Sequence, residues 1–203
     1  MVLSRRGLAA LTAGLALPVA VHAAAAPIRF RILREGSPIG SHRVTFTTGA
    51  QGRLTALTEV DIAVRFAGFT VFRYMHRFRE VWAGVRLIEA ASHLDRNGRV
   101  MEMAARSESN ALVVHGPEGT QRLPAEAAPL TWWNPQHFTR PLFDNATGKL
   151  LLLQWTRTGL ANGGVLWRCT GDEEGEGTYA PDGTWLSWAT TGEDGSAVTY
   201  ERV

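Results

Sequence analysis

Apolar and polar residues exchange places at almost every step along most of this chain, the period of a strand that buries one face. Ile28, Phe30 and Ile32 share a face, with Arg29, Arg31 and Leu33 opposite. The segment Gly36-Ser37-Pro38-Ile39-Gly40 interrupts that strand, and Val44, Phe46 and Thr48 resume the alternation. Thr58, Val60, Ile62, Val64 and Phe66 alternate with Glu59, Asp61, Ala63 and Arg65, the best-defined amphipathic strand. Gly68 marks a turn or bulge. The next strand runs from Phe69 to Trp82, with Thr70, Phe72, Tyr74, His76, Phe78, Glu80 and Trp82 on one face and Arg73, Arg77 and Arg79 among the residues on the other. Further strands are predicted over 85–94, 99–107, 111–115, 119–123, 150–157, 165–170, 176–180, 184–190 and 197–202.

Between these runs stand Asn97-Gly98, Pro117-Glu118-Gly119, Pro181-Asp182-Gly183 and Asp194-Gly195. Asn-Gly and Asp-Gly accept the positive φ that tight hairpins demand. The pattern predicts an all-β fold, a strongly curved antiparallel meander or an open or closed β-barrel of about ten strands. Residues 124–149 depart from it, with Pro124, Pro129, Pro135 and Pro141 spaced around Trp132-Trp133-Asn134. Asn134 is placed to cap a short helical turn with Pro135 at its first position. A second turn is expected near Leu142 to Ala146, making a short helical insert over 134–146.

Composition adds a boundary and a compartment. Of 203 residues, 45% are hydrophobic and 20% charged, which excludes a disordered chain. The start differs: Ser4-Arg5-Arg6-Gly7-Leu8, an apolar run from Leu8 to Val21, then Val21-His22-Ala23. A charged start, a short apolar middle and small residues at the end describe a secretory signal, and the paired arginines point to the twin-arginine route. The expected organisation is a signal peptide over 1–23 and one β domain over 24–203, located in the periplasm. The apolar run is too short to span a bilayer comfortably, so no stable membrane insertion is expected after cleavage. Cleavage removes two of the 21 basic residues and none of the 19 acidic ones. The remaining domain is formally neutral, which takes away the electrostatic basis for binding nucleic acid or a membrane surface. Cys169, the sole cysteine, excludes an intramolecular disulfide and sits in apolar surroundings that favour a buried, inert thiol.

Several short motifs recur together: Trp133-Asn134-Pro135, Thr147-Gly148-Lys149-Leu150, Gly171, Asp182-Gly183-Thr184-Trp185 and Asp194-Gly195-Ser196-Ala197-Val198-Thr199-Tyr200. Phe30-Arg31-Ile32-Leu33 and Ile39-Gly40 open the pattern. With these the chain resembles an uncharacterised family of secreted bacterial β-rich proteins, known only as a domain of unknown function. The resemblance spans most of residues 24–203 and implies a β-rich envelope domain with no assigned activity, hence no catalytic residues to carry over. The acidic loop from Asp172 to Gly177 departs from it, where a more hydrophobic stretch is expected.

Two groups carry candidate chemistry. His76 and Glu80 share the aromatic face of one strand, where burial raises a carboxyl pKa and a nearby imidazolium lowers it. Trp132, Trp133, Asn134 and His137 lie in the proline-rich connection, as a plug or as the lining of a cavity mouth. His42, His76, His93, His115 and His137 are scattered without metal-ligand spacing, so no metal site is assigned. No nucleophile elbow or phosphate loop is present, and no cofactor or catalytic residue is assigned. Seven tryptophans and eight phenylalanines in a neutral domain favour a non-enzymatic periplasmic protein holding an apolar or amphiphilic, lipid-like molecule in a curved-sheet cavity. The expected ligand-binding residues are Phe72, Tyr74, His76, Phe78, Glu80, Trp82, Trp132, Trp133, Asn134 and His137. The expected partner is a small lipophilic ligand and not nucleic acid. Two alternatives stand beside this reading, a histidine/carboxylate enzyme or metal-binding protein, and an envelope scaffold module that interacts through exposed strand edges.

Overall fold

The computed structural model describes residues 25–203, so the segment read as a signal peptide lies outside the described residues. Strands β1 (Ile28–Arg34), β2 (Ser37–Thr48), β3 (Leu54–Phe66), β4 (Phe69–Ala83), β5 (Arg86–Arg96), β6 (Arg99–Ser107), β7 (Ala111–Gly116) and β8 (Gly119–Pro124) form one continuous meander. Two short strands follow, β9 (Ala128–Pro129) and β10 (Leu142–Phe143), and then a second meander. That one comprises β11 (Leu153–Gly159), β12 (Val165–Gly171), β13 (Gly175–Tyr179), β14 (Trp185–Thr191) and β15 (Ala197–Arg202). Because β15 pairs with β1, the two meanders fuse into one antiparallel sheet of thirteen strands. Every alternating segment named above forms a strand, so a count of about ten is too low.

The sheet is not closed: β8 and β11 are its two edges. Residues 125–152 lie between those edges in sequence and fold into the interior. There β9 and β10 pair in parallel, a 3-10 helix spans Pro135–Thr139, and Phe143 bridges to Leu150. Asn134 caps that helix, its side chain accepting from the Gln136 N–H, with Pro135 at the first position, as the sequence requires. The second expected turn is different: Leu142 and Phe143 are extended, and Asp144 Oδ1 then binds the backbone N–H groups of Ala146 and Thr147.

Local bulges explain where the alternation misleads. A register shift between Ile32 and Leu33 turns Leu33 inward, so it is buried instead of exposed. The break expected over 36–40 shrinks to the Glu35-Gly36 turn, because Ser37 already belongs to β2. A second shift between Val64 and Arg65 ends the inward alternation of β3, and Phe66 is exposed.

Two ends of the curved sheet can be distinguished. The upper end carries the β1–β2, β5–β6, β12–β13 and β14–β15 turns, tied by bonds such as Glu35 N–H to Ala197 O and Thr190 Oγ1 to Glu174 O. The lower end carries the β4–β5 turn, where Arg140 of the insert donates to Val85 O. The insert thus reaches the lower end at Arg140, and its Asp144–Gly148 turn packs on β7 near the upper end, where a Cβ on Gly148 would meet Val114.

Candidate functional site

Strand β4 carries six of the ten expected site residues on its inner face, and the structure divides them between two environments. The lower half is solid protein. Glu80 is 0% exposed, and its carboxylate accepts from Trp82 Nε1 (2.8 Å) and from Trp133 Nε1 (2.7 Å). His137 stacks on Trp82 with ring centroids 4.3 Å apart and meets the edge of Trp133. Asn134 Nδ2 donates to His137 Nε2 (3.1 Å), which leaves the ring proton on Nδ1, an atom without a partner among the described residues. The strand motif and the proline-rich motif, read separately in the sequence, are therefore one contact surface.

Burial governs the ionisation there. It raises the Glu80 pKa to about 7, against the two indole donors that favour the charged form. Burial also lowers His137 to about 4, with the Arg140 charge adding to the effect. Trp132 continues the filling on the opposite wall, packed against Phe138, Trp155 and Trp188. Gly177 permits that approach, since a Cβ there would lie 3.1 Å from the Trp132 ring. The enclosed space expected beside Phe78 and Trp82 is thus occupied by the insert's own side chains.

The upper half differs in kind. His76 Nε2 lies 2.8 Å from Ser92 Oγ, and its Nδ1 lies 3.4 Å from the Tyr74 hydroxyl. His76 does not touch Glu80; four residues of strand separate them by about 13 Å. His42 stands two strands away in register, since His42 pairs with Val60 and Val60 with His76. Both ring nitrogens of His42 and the Thr58 hydroxyl are shut off from solvent without a hydrogen-bond partner among the described residues. Trp185 and Tyr200 flank the His42 ring at 5.3 and 5.5 Å. Burial, with a smaller push from His76, takes the His42 pKa down to about 3. Burial likewise lowers His76 to about 4, although the Asp144 carboxylate and the Asn145 backbone pull upward. Both imidazoles are neutral near pH 7, so this end of the interior offers neutral donors and acceptors among aromatic rings.

Above it, Arg96 on β5 crosses to Glu193 in the β14–β15 turn (2.6 Å), and its guanidinium lies 5.5 Å from the centre of the half-buried Phe72 ring. Tyr74, Ile62, Val60 and Tyr200 are only partly buried beneath this bridge. Alternation alone did not single out His42, Thr58, Ser92 or Asp144, because their convergence depends on strand register and on the path of the insert. The in-register order of His42, Val60 and His76 was the one available signal. A depression of about 380 Å³ is lined by the outward-facing Thr45, Thr47, Leu57 and Arg77 and touches the interior region only at Ser92. Cys169 is buried, and burial raises its thiol to about 11, matching the inert thiol expected.

Comparison with known proteins adds family and fold. The sequence model of the family described as Domain of unknown function (DUF6134) matches residues 30–203. No curated protein matches the chain. Among solved structures, the crystal structure of a β-barrel-like protein of domain of unknown function DUF1849 from Brucella abortus is similar, with a TM-score of 0.57 at 10% identity. The match covers 87% of this chain and 95% of that one. At such identity the likeness is one of fold alone, a β-barrel-like sheet.

Proposed function

We propose that this chain, which belongs to the family described as Domain of unknown function (DUF6134), is a non-enzymatic carrier that holds an amphiphilic small molecule in the upper half of its barrel. One observation carries the reading: among the described residues nothing pairs the buried ring nitrogens of His42 or the Thr58 hydroxyl, and the His42 ring lies against the partly buried Tyr200. A buried polar atom left unpaired costs about 1–3 kcal/mol, so a guest that pairs it recovers that energy on binding. Neutral imidazoles and hydroxyls suit an uncharged polar group, and the Tyr74, Tyr200, Val60 and Ile62 surfaces suit an apolar tail. The insert excludes a guest from the lower half. The twin-arginine-type start of the sequence supports export to the periplasm as the place where this carrier works.

The test is native mass spectrometry, with lipid extraction, of protein purified from the periplasm without detergent. A bound amphiphile that is lost in His42→Phe supports the carrier; a guest-free wild-type protein sinks it. A second reading has its own observation, the 2.8 Å contact between Ser92 Oγ and His76 Nε2, the geometry of a base-activated hydroxyl. Labelling of Ser92 by a fluorophosphonate probe would favour hydrolysis over carriage, and the absence of labelling would end that alternative.

A further inference from the structure

The β3–β4 hairpin outruns its neighbours. Pairing of β2 with β3 stops at Gly40 and Ile62, and pairing of β4 with β5 stops at Tyr74 and Arg96. Residues 63–72 therefore form a two-stranded ribbon with no sheet on either side. Ala67 and Gly68, both at positive φ, close its tip. Phe66 is 75% exposed, Phe69 74% and Val71 58%. A free two-stranded ribbon is marginal in water, and apolar groups at its tip contribute nothing to folding. A cluster of large apolar side chains on a projecting element marks an interaction site.

Charge identifies the partner. Between Asp61 and Glu80 the chain carries Arg65, Arg73, Arg77 and Arg79 and no carboxylate; Arg73 is paired with Asp61 and Arg79 with Glu89, while Arg65, next to the tip, has no ion-pair partner among the described residues. The formal neutrality of the domain conceals this run. Aromatic side chains at a tip, with Arg65 immediately behind them, match a bilayer interface: rings reach the acyl boundary while the guanidinium group meets anionic headgroups. The tip also lies at the upper end, the end that carries the Arg96–Glu193 bridge.

We infer that the Phe66–Phe69 ribbon docks this protein peripherally on an anionic phospholipid surface. The inference does not depend on a guest in the interior. Flotation assays with the full chain test it, using vesicles of phosphatidylcholine alone and of equimolar phosphatidylcholine and phosphatidylglycerol. Wild type, Phe66→Ser/Phe69→Ser and Arg65→Gln share residues 1–24, so differences among them report the ribbon. The double serine variant is expected to lose at least about fivefold in binding to the anionic vesicles. Arg65→Gln and added salt are expected to weaken binding to anionic but not neutral vesicles. Equal flotation of wild type and double variant overturns the inference, as does equal binding of wild type to both vesicle types. A dimer in light scattering that the double variant abolishes, without vesicle binding, overturns it in favour of a second copy of the chain. Circular dichroism of the variants confirms that they fold.

Discussion

From Phe78 to Trp82, β4 faces the insert, which pairs the Glu80 carboxyl although His137 Nδ1 stays unpartnered; from Phe72 to His76, the same face looks towards His42, both of whose ring nitrogens go unmatched among the described residues. Both stretches obey one alternation and carry one histidine or carboxylate among aromatics. What separates them is the insert. Its Trp133 supplies the second donor to Glu80 and its His137 covers Trp82, whereas its path near the upper end brings only Asp144 and Asn145 towards His76. An aromatic strand face therefore does not define a binding cavity; whatever second layer covers it decides between core and site.

The sharpest way to break this contrast is to weaken the lower half. Trp82→Ala removes a fully packed indole, a donor to Glu80 and the stacking partner of His137, and is expected to cost about 3–5 kcal/mol. Chemical denaturation reads it; a loss below about 1 kcal/mol would show that the insert does not depend on this contact.

The pH dependence comes next. Glu80 has a folded pKa of about 7 against 4.5, so its contribution to stability is full below the unfolded value and is lost as pH rises from 4.5 through 7. The loss amounts to about 3 kcal/mol. Glu80→Gln removes this dependence, so the stability advantage of wild type over the variant should be greatest near pH 4.5 and shrink towards pH 7. His42, His76 and His137 work in the opposite direction. Their folded values are lowered from 6.5 to about 3, 4 and 4, so their contribution is present above 6.5 and is lost as pH falls through the folded values. With three such groups against one, wild type should be less stable at pH 4.5 than at pH 7. Denaturation midpoints of both proteins across this range decide the matter, and parallel curves would remove Glu80 from the account.

A smaller effect sharpens the boundary between the halves, where Thr58 pairs in register with Phe78. Thr58→Val replaces an unpaired buried hydroxyl by an isosteric methyl and is expected to stabilise the empty protein by about 1 kcal/mol while weakening any guest bound there. Destabilisation instead would mean that the hydroxyl serves the fold. The smallest effect on stability belongs to Arg96→Ala. The Arg96–Glu193 bridge is largely exposed, so the denaturation midpoint should not move measurably, while a fluorescent amphiphile held beside His42 and Tyr74 should exchange faster.

Alternation and turn chemistry, which are local, were enough to read the strands, the hairpin turns, the Asn134 cap with Pro135, and the placement of His76, Phe78, Glu80 and Trp82 on the inner face. The family resemblance to an uncharacterised β-rich group was legible in short motifs for the same reason. Residues Leu33 and Phe66 were misread because a bulge changes the face of a strand without changing its composition. The pairing of β15 with β1, the open seam between β8 and β11, and the use of residues 125–152 as filling were decided only by tertiary structure. These depend on contacts between residues distant in the chain, such as Trp133 with Glu80, 53 positions apart, which no periodicity records. Sequence by itself determined which side chains face inward wherever the strands run without a bulge, because alternation is local; only the three-dimensional path of the insert determined which of them are covered by its side chains, because that path rests on contacts between distant residues.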